Sequence, residues 1–358
     1  MKKLISLMLA LIMVLSLATV ASAEEGDAAT STAPALDNET TITFTKTYEI
    51  LGGTFDEANA NSYVPSENIS FTVTPDNENP GLATANNCPT IASQTVTSTT
   101  TTFTLTLPTY SAAGKYNYTV TESTNASNGT VQGVTYAGTT FDVSVLAYYI
   151  DKEDGTQTIA TDIYLTTGDG NDGKVSNFTN TYKLNGLDVT KTVDGNAGSK
   201  SEYFDFSVTF TSSKAVKTPI NVSGGSTEAG NLTVINASDW SNNTVTKTFK
   251  LKHGETLHFD NIPDGVTYAV TEDSKHIGDA EANANDPTKG YTSTPTGASG
   301  SITYNEEGTD AVASFLNVKN LNVATGIVTD SAPYVILIAV CAVAAVAFVL
   351  KRRNAVEF

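Results

Sequence analysis

The chain has 358 residues, with 20 Lys and Arg against 38 Asp and Glu, a formal net charge of −18. A surface of that sign repels phosphate backbones and excludes nucleic acid as a partner. Of two cysteines, Cys341 lies in an apolar run near the C-terminus and Cys88 stands alone in the remainder, which excludes a disulfide-built scaffold.

Residues 1–23 place Lys2 and Lys3 ahead of an apolar run that ends in Ala21, Ser22 and Ala23, the pattern of a secretory signal peptide. Residues 24–38 are acidic, rich in Ala and Thr and aperiodic, and read as a flexible leader. Without the two ends, the exported part carries a net charge of about −21. The stretch TITFTKTYEI, residues 41–50, follows. With the two-residue period of a strand, Ile42, Phe44, Lys46, Tyr48 and Ile50 share one face. A lysine on a core face has to be paired, neutralised or consumed by a reaction.

Beyond it come short runs rich in Thr, Val, Tyr and Phe, among them SFTVTP, TTFTLTLP, TFDVSVLAYYI and VTKTFKL, separated by Gly, Asn, Asp and Pro clusters. No long 3.6-residue pattern interrupts them, so the fold class is all-β. Three phrases occur twice in the same order: TFTKTYE and DVTKTVD, KYNYTVTES and VTYAVTEDS, SNFTNTY and ASFLNVK. The repetition predicts two modules, residues 39–183 and 184–321, each a β-sandwich. Only YKLNG separates the last strand of the first module from the first strand of the second, which favours stacked over freely tethered domains.

Each repeated phrase carries one polar residue on its apolar face: Lys46, Glu122 and Asn180 in the first module, Lys191, Glu272 and Asn317 in the second. A desolvated lysine is a neutral nucleophile, and a desolvated, protonated glutamate can hydrogen-bond an asparagine carbonyl oxygen and make its carbon electrophilic. Loss of ammonia would leave an amide crosslink, with the rigid core supplying proximity. Strand phase alone also puts Lys247 of VTKTFKL on an apolar face, where snorkelling is the ordinary outcome. The recurrence of the whole trio favours the crosslink.

At these residues the chain resembles the streptococcal-type pilin isopeptide-linkage domain, through FTKTY, GKYNYTVTE and FTNTY in the first module and GETLHFDNIPDGVTYAVTE with SFLNV in the second. The resemblance implies two tandem Ig-like (Cna B-type) β-sandwich domains in a backbone pilin of a Gram-positive cell surface. It also implies autocatalytic isopeptide bonds Lys46–Asn180 and Lys191–Asn317, promoted by Glu122 and Glu272. The second module ends in LNVKN, a departure from FTNTY.

Residues 322–358 hold NVATG, an apolar run from Tyr334 to Leu350, and Lys351, Arg352 and Arg353. The run is long enough for a short membrane helix, and the basic cluster orients it with the preceding chain outside. NVATG looks like a sortase sorting signal in which Ala324 replaces the usual proline; the thiolate would cut between Thr325 and Gly326. The resemblance places the acceptor amine for the next subunit at Lys174, with Lys152 a second exposed candidate. The partners expected are therefore sortase, identical subunits in a head-to-tail polymer, peptidoglycan, and surface receptors of host or bacterial cells. The alternative is a monomeric anchored adhesin of the same domains. No cofactor is expected, and no metal: GDGNDG lacks the ligand spacing of a calcium loop, and His253, His258 and His276 match no zinc motif.

Overall fold

Phe44, Lys46 and Tyr48 are buried along strand Thr41–Leu51 while Thr41, Thr43 and Glu49 are exposed, the alternation that a pleated ribbon imposes. This is a computed structural model, describing residues 38–54, 57–123, 131–138, 140–167, 177–226 and 233–322. The signal peptide, the leader before Asn38, Lys174, Thr325, Gly326 and the apolar tail lie outside these residues. Among the described residues no helix is long and apolar enough to cross a membrane.

The first strand pairs antiparallel with Thr100–Thr106 and parallel with the first half of an 18-residue strand, Asn177–Asp194. YKLNG lies inside this long strand. The connection between the repeated halves is thus continuous strand, with a register shift between Asn185 and Leu187. The second half of the strand pairs parallel with Ala311–Val318 and antiparallel with Thr256–Pro263. Both parallel pairings join segments far apart in sequence, as parallel strands require.

Two further sheets cover this one. Glu67–Pro75, Gly114–Ser123, Thr140–Asp151 and Gln157–Thr167 lie in a five-stranded sheet over the first half, and Thr244–Leu251, Phe204–Thr211, Thr267–Glu272 and Ser299–Ser301 form a four-stranded sheet over the second. The inward residues make two cores. In the first, Phe71 meets Phe44 and Phe103 edge-on, Phe44 and Phe103 stack, and Phe141 meets Phe178 at a tilt; in the second, Phe206 meets Phe315 and Phe210 meets Phe259 edge-on. These contacts add specific ring geometry to the burial term.

Side chains tie the two halves beside the continuous strand. Asn261 is fully buried with φ +66°; its Oδ1 accepts from the Thr54 amide at 2.9 Å and its Nδ2 donates to the Thr54 carbonyl at 3.0 Å. A side chain on Gly53, at φ +73°, would run into that Asn261 oxygen. Tyr182 and Thr218 share a 2.6 Å hydroxyl contact, and Gln132 donates to the Asp264 carbonyl at 2.6 Å.

Candidate functional site

Lys46 lies opposite Phe178 and Tyr48 opposite Asn180 across the parallel strands, so Lys46 and Asn180 are diagonal neighbours on one face. In the second half Lys191 lies opposite Phe315 and Val193 opposite Asn317, the same offset. A lysine side chain is long enough to span such a diagonal. In each case the acid descends from the facing sheet, Glu122 from Gly114–Ser123 and Glu272 from Thr267–Glu272.

In the first cluster Lys46 and Asn180 are fully buried and Glu122 nearly so. Lys46 Nζ donates to Glu122 Oε2 at 3.0 Å, and Asn180 Nδ2 donates to Glu122 Oε1 at 3.0 Å. One carboxylate thus bridges the amine and the amide nitrogen. Burial pushes the Lys46 ammonium below the ordinary lysine range, and Glu122 opposes that displacement. The Asn180 carbonyl oxygen accepts the main-chain N–H of Ala137 at 2.7 Å. Sequence reasoning places the acid on the carbonyl oxygen, whereas the structure places it on the amide nitrogen. The reason is local: the Ala137 N–H can only donate, so it fixes which end of the amide it faces.

The second cluster repeats the ion pair and changes its surroundings. Lys191 Nζ donates to Glu272 Oε1 at 2.9 Å, and Asn317 Nδ2 donates to the same oxygen. Glu272 Oε2 accepts the Ser293 hydroxyl at 2.8 Å. Desolvation brings Lys191 down to about 8, against the pull of Glu272, and its ammonium lies 4.3 Å from the Phe204 ring centre. Asn317 Oδ1 is buried and, among the described residues, has no hydrogen-bond partner.

Several neighbours carry no obvious sequence signal. The Tyr48 and Tyr136 hydroxyls both donate to Glu67, and burial raises that carboxyl. Asn180 Nδ2 also approaches the Tyr48 hydroxyl at 3.4 Å. Tyr48 shares the strand face of Lys46 in the sequence, but no pattern marks it or Glu67 as a second polar group beside the first; Ala137 contributes only backbone, which no side-chain pattern reveals. Lys319, at the place where LNVKN departs from FTNTY, is buried and donates to the Asn283 and Asp286 carbonyls at 2.9 and 2.7 Å.

Lys247 reaches Asp239 at 3.2 Å and stays partly exposed, so shared strand phase does not by itself bury a lysine here. His253 accepts the Val193 amide, His258 contacts Asp188, and His276 contacts the Thr288 carbonyl, so the three histidines sit apart. Among the described residues no group of three metal-ligating side chains converges.

Residues 42–183 match the family model of the Spy0128-like isopeptide containing domain, and residues 185–319 match a family described as a domain of unknown function (DUF7601). The chain is 28% identical over 320 residues to a pilin of Streptococcus pyogenes serotype M1, across 84% of this chain and 89% of that protein. The crystal structure of the major pilin from Streptococcus pyogenes is similar at 24% identity and TM-score 0.51, covering 80% of this chain and 100% of that one. The T3.2 major pilin of the same species gives 21% identity and TM-score 0.51, with 80% and 99% covered. These two structural likenesses bear on the fold, which is mostly β and pilin-like.

Proposed function

We propose, from a chain homologous to the streptococcal major pilin and carrying a Spy0128-like isopeptide containing domain, that it is the structural subunit of a covalently polymerised surface pilus. Its two halves are tandem Ig-like (Cna B-type) sandwiches, residues 39–183 and 184–321, each locked by a bond that it forms itself. The observation that carries this reading is the buried Lys–Glu–Asn trio, present twice with the same strand offset.

In the first half, neutral Lys46 Nζ attacks Asn180 Cγ. Glu122 takes a proton from Nζ through Oε2 and returns one to Nδ2 through Oε1. The Cγ–Nδ2 bond breaks, ammonia leaves and an Nζ–Cγ amide remains; the carboxylate ends as it began. Lys191, Glu272 and Asn317 carry out the same exchange in the second half. Tension entering at Lys174 runs along the continuous strand through Asn180 to Lys191 and leaves through Asn317, while the Lys46–Asn180 bond ties the first strand to that line. The hydrogen-bond ladders between these points are bypassed.

Residues 1–23 direct export, the 334–350 run with its basic cluster holds the precursor in the membrane, and sortase cuts NVATG between Thr325 and Gly326. The freed Thr325 carboxyl is joined to Lys174 of another copy, and at the base of the polymer to peptidoglycan. Intact-mass measurement of the mature chain is expected to show two ammonia losses, and Glu122→Ala one. Cell-wall extracts are expected to show a ladder of covalent oligomers that disappears in Lys174→Ala. Full masses with no ammonia lost would sink the crosslink, and a single band would replace the pilus subunit by a monomeric anchored protein.

A further inference from the structure

The two clusters differ at the atom where charge develops. When an amine adds to an amide carbon, the carbonyl oxygen becomes an oxyanion, and a fixed donor aimed at that oxygen lowers the barrier. In the first cluster the Ala137 main-chain N–H already points at Asn180 Oδ1 from 2.7 Å, within the distance such donors use. In the second, Asn317 Oδ1 is buried without a donor among the described residues.

The topology explains the difference. After its acid strand, the first half sends strand Val134–Thr135 back along the joining strand, pairing Thr181 with Thr135 and Tyr182 with Val134. The chain then leaves the ladder, which frees the Ala137 N–H to turn to Asn180. In the second half the segment beside the asparagine is the longer strand Thr292–Thr296, which pairs Ser293 with Asn317. It spends its polar contribution on the carboxylate, through the Ser293 hydroxyl, and leaves the amide oxygen bare.

We infer that the Ala137 main-chain amide is a catalytic group of the first crosslinking reaction, an oxyanion donor that the second cluster lacks, and that the Lys46–Asn180 bond therefore closes before Lys191–Asn317. This rests on the crosslink reading above and adds an order of events to it. The balance is unchanged: an Nζ–Cγ bond forms, a Cγ–Nδ2 bond breaks and ammonia leaves. Ala137 N–H gives up no proton and only holds the oxygen while its negative charge is transient.

The test follows the full chain, made by cell-free translation with lipid nanodiscs, quenched into denaturant at intervals and read by intact mass and peptide mapping. A species that has lost one ammonia is expected to accumulate, with its bond between Lys46 and Asn180. Replacing Ala137 by lactic acid, which exchanges the N–H for an ester oxygen, is expected to slow the first closure by about 100-fold, the usual effect of deleting one such donor. Eventual completion of the Lys46–Asn180 bond in that ester variant reports that its first half still folds. Closure of Lys191–Asn317 in the same ester variant reports that the chain still folds.

An unchanged first closure in the ester variant overturns the inference, as does an intermediate bonded at Lys191–Asn317. If neither ammonia is lost even at long times in the unmodified chain, the crosslink reading itself fails. If both are lost together, only the order and the role of Ala137 fail.

Discussion

Asn180→Ala separates a covalent first half from a merely hydrogen-bonded one. A bond from Lys46 to Asn180 closes a loop of about 135 residues, and the chain-entropy relation for a crosslink of that span gives roughly 5 kcal/mol at 25 °C. Deleting the amide also strips the Ala137 N–H of its partner, worth about 1–3 kcal/mol. The covalent account therefore expects a loss of roughly 6–8 kcal/mol, which for a domain of this size lowers the melting temperature by about 20 °C. Calorimetry beside intact-mass measurement reads both halves of the claim: one ammonia loss remaining, and a large fall of one transition. A loss of only about 1–3 kcal/mol is what hydrogen bonds alone supply, and that result would refute covalent closure even if the trio is packed as described.

Two further outcomes follow from the same geometry. In an Asn317→Ala chain Lys191 keeps its amine, and its folded value of about 8 lies below the ordinary 10.5. The folded state then binds fewer protons than the unfolded state between those values, so stability is penalised below about pH 8 and recovers up to about 10.5, by at most about 3 kcal/mol. Urea titrations across that range check the sign, with Lys191→Met on the same background as the reference; a fall in stability with rising pH relative to that reference contradicts the burial argument. At the junction, Asn261→Ala removes both bonds to Thr54 and leaves at φ +66° a residue that tolerates that backbone less well than asparagine, while Asn261→Gly removes the bonds at a φ that glycine adopts freely. Faster proteolysis at the junction is expected in both, with Ala the more sensitive; resistance equal to wild type in both means that the continuous strand alone holds the halves together.

The all-β character and the six polar positions were legible in the chain because strand phase is a local property. TITFTKTYEI, KYNYTVTES and SNFTNTY put Lys46, Glu122 and Asn180 among aromatic and β-branched residues, and the repetition of their order raised them above Lys247, which had the same phase and stayed at the surface. Local pattern could not decide how the pieces meet. That YKLNG is uninterrupted strand follows from partners on both sides of it, Thr41–Leu51 and Ala311–Val318, which are remote in sequence. Which end of the Asn180 amide faces Glu122 is set by Ala137, a backbone donor brought in by the strand that follows the acid, and a backbone N–H has no letter of its own. The alphabet of side chains specified which groups turn inward; only the tertiary arrangement determined what each inward group touches, because those contacts join segments that no periodicity links.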